Sequence, residues 1–338
     1  MRILASPKFD EHVTPPGHPE RPERAEVLSA CARTRSSQGS AVEEPRAATH
    51  EQLARVHGDA HLTRVEGTAG KSSMLDADTF TSPASYEVAL LAAGAAVQAA
   101  EHALKTGETS FALVRPPGHH AERDKAMGFC LFNNVAVAAA AARAAGTERV
   151  AIVDIDVHHG NGTQAIFSDD RNVLYVSSHQ YPFYPGTGAA PETGHGEGTG
   201  FTVNIPLEAG ATDADFDLVY RLIAVPVLEQ FAPQLTLISA GYDAHEADPL
   251  AAMRMSAGGY ARIIARLRVA AQKTGALALV TEGGYDLDAL RECLLATFEV
   301  LDADVVNVTD FETRKPSTGR GPRALAAVRA AQSAFWRL

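Results

Sequence analysis

Short apolar runs of strand length recur along the chain, separated by longer stretches of helical length. The clearest are FALV at 111–114, VAIV at 150–153, VLYV at 173–176, LTLI at 235–238 and ALALV at 276–280. They are continuous rather than alternating, the pattern of strands buried on both faces. Two more strands are expected near 2–5 and 201–205. Between the runs lie alanine-rich helical stretches at 85–104 and 134–145, and further helices at 215–230 and 256–272, the last opened by a capping Ser256. Strand–helix alternation of this kind predicts an α/β fold, a mainly parallel sheet with helices on both faces. The alternation continues from end to end without a Pro/Ser-rich linker, so a single domain over 1–338 is expected. The glycine-rich segment 186–200 reads as the longest loop and 302–323 as polar, irregular chain.

The polar residues sit where the strands stop. FALV leads into RPPGHH, VAIV into DIDVHHGNGT, VLYV into SSH, LTLI into SAGYDAH and ALALV into TEGGYD. In open α/β sheets ligands bind beyond the carboxyl ends of the strands. Five separate strands therefore aim chemistry at one edge.

Within DIDVH, alternate residues of an extended strand share a face. Asp154, Asp156 and His158 would lie together, with Val153, Ile155 and Val157 opposite. Two carboxylates and an imidazole converging suit a divalent metal such as zinc. A catalytic zinc needs three protein ligands and one open position. Asp243, after the 235–238 strand, is the natural third beside Asp156 and His158, although alone it reads as a turn residue. The adjacent His119 and His120, on a loop shaped by two prolines and a glycine, suit general acid–base work near neutral pH. Tyr285, after two glycines, can donate a hydrogen bond to a developing oxyanion. Other patterns fail. A phosphate-loop-like run at 67–72 has Val65 where glycine is required, and neither G-x-S-x-G nor H-E-x-x-H occurs. His50, His57, His61 and His102 read as surface or structural.

Composition narrows the class. The chain has 338 residues, 46% hydrophobic and 21% charged, ordinary for a globular protein, so a wholly disordered chain is excluded. A net charge of −11 argues against nucleic acid and anionic membrane as partners. Cys31, Cys130 and Cys293 are widely separated, which excludes a CxxC motif and fits a reducing compartment. The N-terminal stretch is too short and polar for a secretory signal. The longest uncharged run, 126–142, holds two asparagines and is short for a membrane span. A cytoplasmic location is expected.

Taken in order, HPERPER (18–24), RPPGHHA, GFCLFNN, DIDVHHGNGT, SAGYDAHEADPL and EGGY resemble the zinc-dependent histone deacetylase superfamily, in its class II and bacterial amidohydrolase branch. The resemblance covers most of the chain. It implies the arginase/deacetylase fold, a three-layer α/β/α arrangement around an eight-stranded, mainly parallel sheet. It implies one catalytic Zn2+ on Asp156, His158 and Asp243. His119 and His120 match the tandem histidines, with Asp154 partnering the first, Asn161 the second, and Tyr285 polarising the acyl carbonyl. Gly128, Phe129, Phe183 or a nearby aromatic, and Leu250 match the substrate tunnel, and Arg24 an arginine near the acetate exit. A structural K+ would use Asp154, Asp156, His158, Ser177 and Ser178. A second K+ would lie near Phe167, Val173 and Phe201. Asn161 stands where the class I pattern has aspartate. A neutral partner stabilises imidazolium less, so His120 is expected to stay neutral.

The expected reaction is hydrolysis of an acyl-lysine peptide or protein, or of an acylated small amine. An acetylpolyamine is the competing substrate. The polyamine branch carries an acidic residue after the DP of SAGYDAHEADPL, and Leu250 stands there, although Glu246 is close. A non-catalytic sensor of acylated ligands would lack one of the matched residues. An arginase-like dinuclear site would need further carboxylates. Oligomeric state is not legible.

Overall fold

The computed structural model describes residues 1–308 and 316–338. Its strands are β1 (Arg2–Leu4), β2 (Ala41–Glu43), β3 (Ser73–Asp76), β4 (Thr79–Thr81), β5 (Ser110–Ala112), β6 (Val150–Asp154), β7 (Val173–Gln180), β8 (Thr202–Leu207), β9 (Leu235–Ala240) and β10 (Ala276–Thr281). Its α-helices are α1 (Glu23–Ser37), α2 (His50–Ala54), α3 (Asp59–Glu66), α4 (Ser85–Thr106), α5 (Asn134–Ala144), α6 (Asn161–Phe167), α7 (Asp213–Val219), α8 (Val225–Phe231), α9 (Ala257–Ala271), α10 (Leu287–Asp302) and α11 (Arg320–Gln332). Eight strands form one sheet in the order β2-β1-β5-β10-β9-β6-β7-β8, with every neighbouring pair parallel. β3 and β4 form a separate antiparallel hairpin.

The continuous apolar runs are explained by two cores. Ile3, Phe111, Val153 and Leu279 face a layer containing α1 and α7 to α10, through Leu28, Phe216, Leu228, Ile264 and Leu294. Their sequence neighbours Leu4, Ala112, Ile152 and Val280 face α2 to α5, through Leu53, Leu62, Ala96 and Val137. Alternate residues of one strand thus serve opposite layers, which requires both to be apolar. Side-chain caps start the helices that leave the site edge. Ser256 accepts from Gly259 N at 3.2 Å, Asn133 from Ala136 N at 3.0 Å and Asp286 from Ala289 N at 2.8 Å.

Three expectations are corrected. The stretch at 215–230 is helical throughout but not α-helical throughout: a π-helical turn, Tyr220–Ala224, joins α7 to α8, next to Pro226, which has no amide hydrogen to donate. β5 stops at Ala112, because Val114 N turns aside to Thr281 Oγ1 at 2.7 Å. The region 302–323 is not all irregular, since α11 begins at Arg320; residues 309–315 of it lie outside the described residues. Among the described residues no helix is long and apolar enough to cross a membrane.

Candidate active site

Register sets the site. Asp154 at the end of β6 lies level with Ser177 on β7 and Ser239 on β9. The strand stops there, so the shared face expected for Asp154, Asp156 and His158 does not come from strand periodicity. The chain instead turns in two side-chain-closed steps. Asp156 N donates to Asp154 Oδ1 at 3.2 Å, and His158 N to Asp156 Oδ1 at 2.9 Å. The result splits the three residues. Asp154 bonds His119, while Asp156 and His158 face Asp243, with Asp156 Oδ1 also 3.8 Å from His119 Nε2.

His158 Nδ1 lies 3.2 Å from Asp156 Oδ1 and 3.1 Å from Asp243 Oδ2. One ligand atom from each of the three lies within 4.8 Å of the others. The remaining oxygens are used: Asp243 Oδ1 accepts Val157 N at 2.8 Å, and Asp156 Oδ2 accepts Gly283 N at 2.8 Å. Two glycines make this packing possible. A Cβ on Gly241 would sit 2.0 Å from Asp156 Oδ2, and one on Gly283 would sit 2.2 Å from Asp243 Oδ2. Two fully buried carboxylates facing a single imidazole form a donor set that calls for a cation. Its nitrogen and oxygen atoms suit zinc, and three ligands leave a position open. Burial disfavours the charged forms of all three residues. Hydrogen bonds that the protonated ring donates to both carboxylates nonetheless raise His158 to about 10, and burial with the nearby Asp156 charge raises Asp243 to about 7.

The tandem histidines are held from below by Glu282. Its Oε2 accepts Gly118 N at 2.6 Å and His119 N at 3.2 Å, and its Oε1 accepts Ser239 Oγ at 3.1 Å. Burial pushes this carboxyl up to about 7. His119 Nδ1 donates to Asp154 Oδ2 at 3.0 Å, which also accepts the Tyr175 hydroxyl at 3.1 Å. Burial opposes the His119 imidazolium, but the Asp154 and Asp156 charges outweigh it and hold its pKa well above the ordinary value. His120 Nδ1 lies 2.8 Å from Asn161 Oδ1. Burial, then the charges of His119 and His158, hold His120 well below the ordinary value. That direction favours a neutral His120 ring, and the Asn161 hydrogen bond acts against it without outweighing it. Gly128, at φ +57°, lets the loop lie on this ring, since a Cβ there would meet His120 Cδ2 at 2.5 Å.

Tyr285 is placed by Asp248, whose Oδ2 accepts Tyr285 N at 2.6 Å and whose Oδ1 accepts Leu250 N at 2.9 Å. The buried Arg24 guanidinium lies 5.0 Å from the Tyr285 ring centre and donates to Gly284 O at 2.7 Å and Glu282 O at 2.5 Å. His120, His158 and Tyr285 meet at a cavity of about 160 Å3. That is well under the roughly 300–1,000 Å3 of pockets for bulkier ligands, so it suits a slender chain. Gly128, Phe129, Phe183 and Leu250 line it, joined by Tyr184, the aromatic next to Phe183, and by one residue not anticipated for it, Asp78. Phe183 stacks on His158 at 5.7 Å, and Tyr184 meets His120 edge-on at 5.2 Å. Phe129 holds φ +70°, a strained value for a bulky residue, with its N–H bonded to Thr79 Oγ1 at 3.1 Å.

Ser177 and Ser178 lie beside Asp154 on β7, but their hydroxyls are engaged, with His179 Nδ1 at 2.9 Å and the Tyr220 hydroxyl at 2.7 Å. Phe167 closes α6, Val173 opens β7, and Phe201 precedes β8. His57 and His61 are buried rather than superficial, and His102 pairs with Glu108 at 2.8 Å near the surface. The sequence reading gave no role to Glu282 or Asp248. Both work on backbone N–H groups, which leave no side-chain signature; the available signal was an acid directly after a buried strand or before a proline. Asp78 reaches the cavity on the β3–β4 hairpin, which carries no apolar run to reveal it.

Residues 18–301 match the family model described as the histone deacetylase domain. A probable deacetylase of Archaeoglobus fulgidus is 40% identical over 292 residues, spanning 85% of this chain and 81% of that protein. A histone deacetylase-like amidohydrolase of Pseudomonas aeruginosa is 43% identical over 262 residues, spanning 75% and 68%. The crystal structure of the HDA15 HD domain superposes with a TM-score of 0.91 at 35% identity, over 99% of this chain and 94% of that one.

Proposed function

This chain belongs to the histone deacetylase family, and from that premise we propose that it is a zinc-dependent amidohydrolase, a single deacetylase domain over 1–338. Its substrate in this reading is acyl-lysine in a peptide or protein, or a related acylated amine. The observation that carries the reading is the buried Asp156–His158–Asp243 donor set beneath a slender cavity that also receives His120 and Tyr285.

Asp156, His158 and Asp243 would hold the zinc, which when bound supplies an electrophile for the acyl carbonyl and acidifies water. The protein's own residues do the rest. Phe129, Phe183 and Tyr184 wall the acyl-amine chain and keep bulk water from the amide. The Tyr285 hydroxyl donates to the carbonyl oxygen as charge builds there. His120, bonded through Nδ1 to Asn161, presents Nε2 as the base that takes the proton of the attacking water. The same nitrogen then delivers a proton to the leaving amine. His119 stays protonated against Asp154 and adds positive charge beneath the reaction. The K+ reading keeps Asp154, Asp156, His158, Ser177 and Ser178. Three buried free cysteines suit a reducing, cytoplasmic setting.

The competing acetylpolyamine reading draws on one feature, the Asp78 carboxylate at the cavity, which could face a cationic substrate. Turnover of a matched panel by zinc-loaded protein decides: acetyl-, trifluoroacetyl- and longer acyl-lysine peptides, acetylputrescine, and a hydroxamate control. Hydroxamate-sensitive cleavage led by an acyl-lysine peptide is expected. Strong preference for acetylputrescine would reverse the ordering, and no turnover of any member would overturn the enzymatic reading.

A further inference from the structure

Among the described residues, the one hydrogen-bond partner of the His120 ring is the Asn161 amide. An amide has two nearly equivalent orientations, one offering oxygen and one offering NH2. If Asn161 offers oxygen, His120 carries its proton on Nδ1 and leaves Nε2 free as a base. If Asn161 offers NH2, the proton must sit on Nε2, and the ring cannot accept one from water. Something must choose between them.

Glu122 makes the choice. It follows His120 by two residues, and its Oε1 lies 2.7 Å from Asn161 Nδ2, which also lies 3.4 Å from Met127 Sδ. An ionised carboxylate only accepts hydrogen bonds, and a thioether is a weak acceptor. Both therefore demand the NH2 on their side. The flipped amide would set Asn161 oxygen against the Glu122 oxygen, a buried acceptor facing an acceptor. The Glu122 backbone is fixed, because its carbonyl accepts His57 Nδ1 at 3.0 Å and its N–H donates to Lys125 O at 2.9 Å.

We propose that Glu122 is a positioning residue for the acyl-transfer chemistry: it orients the Asn161 amide and so holds His120 in the tautomer with a free Nε2. The inference rests on the proposed amidohydrolase reading. It is separate from any charge effect of Glu122, because what the geometry requires there is an acceptor, not an anion.

Two substitutions separate those effects. Glu122→Gln keeps an acceptor and removes the charge. Glu122→Lys replaces the acceptor with a donor and favours the flipped amide. Both are compared with wild type for kcat and KM on an acetyl-lysine peptide, zinc per chain, melting temperature, and the ring-nitrogen NMR shifts of His120. Glu122→Gln should stay within a few-fold of wild type. Glu122→Lys should lose about 100-fold in kcat, the lower end of what a positioned base contributes, with KM, zinc and melting nearly unchanged. Its His120 shifts should show the proton moved from Nδ1 to Nε2. Equal losses in both variants, or an unmoved tautomer in the lysine variant, would overturn the proposal. If wild type turns over nothing, the enzymatic reading fails, while the NMR comparison still tests the tautomer.

Discussion

Among the described residues three pairs of buried histidines lie in tilted ring contact; His159 and His179 form one, and of the other two only one is placed to do chemistry. His119 and His120 have ring centres 4.0 Å apart; His57 and His61 have theirs 4.8 Å apart. All four are at most 4% exposed. The difference is in their partners. His119 bonds a carboxylate and His120 an amide side chain. His57 donates to Glu122 O and accepts Asn133 N at 3.0 Å, and His61 donates to Leu131 O at 2.9 Å, so every hydrogen bond of the outer pair goes to backbone. Burial acts on every ring in the same direction, against the charged form. In the outer pair the backbone hydrogen bonds to Glu122 and Leu131 act against it without outweighing it: His57 falls to about 3 and His61 falls too. In the inner pair Asp154 reverses it for one ring only, and the two rings are driven apart. A pair of groups pushed in opposite directions is what an acid–base site needs. Proximity and burial alone build only a piece of core.

The largest expected effect tests the inner pair. His120→Ala should lower kcat by about 10³-fold, or about 4 kcal/mol of barrier, in the middle of the range for a general base. Melting temperature and bound zinc should hardly move, since His120 is not among the proposed ligands. Turnover within tenfold of wild type, measured with an acetyl-lysine peptide, would remove His120 from the chemistry and dissolve the contrast with His57.

The next effect tests the outer pair by pH. A histidine neutral in the fold, with its pKa moved from 6.5 to about 3, opposes folding increasingly as pH falls below 6.5. The unfolded chain takes up the proton and the folded one refuses it. Glutamine at this position cannot take that proton in either state. The stability gap between wild type and His57→Gln should therefore shrink by about 1.4 kcal/mol per pH unit below 6.5, or about 2 kcal/mol by pH 5. Denaturant unfolding at pH 7, 6 and 5 measures it. A gap that stays constant would mean that His57 is not held neutral.

The same contrast marks how far the sequence could be read. Strands buried on both faces announced themselves as unbroken apolar runs, so the sheet and its chemistry-bearing edge were legible. β2, exposed along the sheet's margin, and the β3–β4 hairpin have no such runs and stayed hidden. The helix at 215–230 looked uniform because apolar spacing does not register a π turn. At the site, the motifs located His119, His120, Asp156, His158, Asp243 and Tyr285. What they could not convey is the direction in which each side chain is held. Asp154 was legible as a neighbour of Asp156, yet the two point into different parts of the site because β6 ends between them. Glu122, Asp248 and Glu282 act on an amide side chain or on backbone N–H groups. Such contacts join residues up to 164 apart in sequence, and no local pattern encodes them.

The smallest expected effect is the most discriminating for the comparison. His61 donates one hydrogen bond, to Leu131 O, and its Nδ1 is a buried nitrogen without a partner among the described residues. Phenylalanine keeps a ring in contact with Phe132, which His61 meets edge-on at 6.0 Å, and takes that unpartnered nitrogen out of the interior. It leaves the Leu131 carbonyl without its donor. A neutral hydrogen bond is worth about 1 kcal/mol, and the removed polar atom offsets part of it, so His61→Phe should cost no more than about 1 kcal/mol. It should leave kcat and KM on an acetyl-lysine peptide at wild-type values, because no charged or substrate-facing group loses a partner. A tenfold fall in kcat with intact folding would show that the outer pair reaches the chemistry through Leu131 and the 128–134 loop. The two histidine pairs would then be one device rather than two.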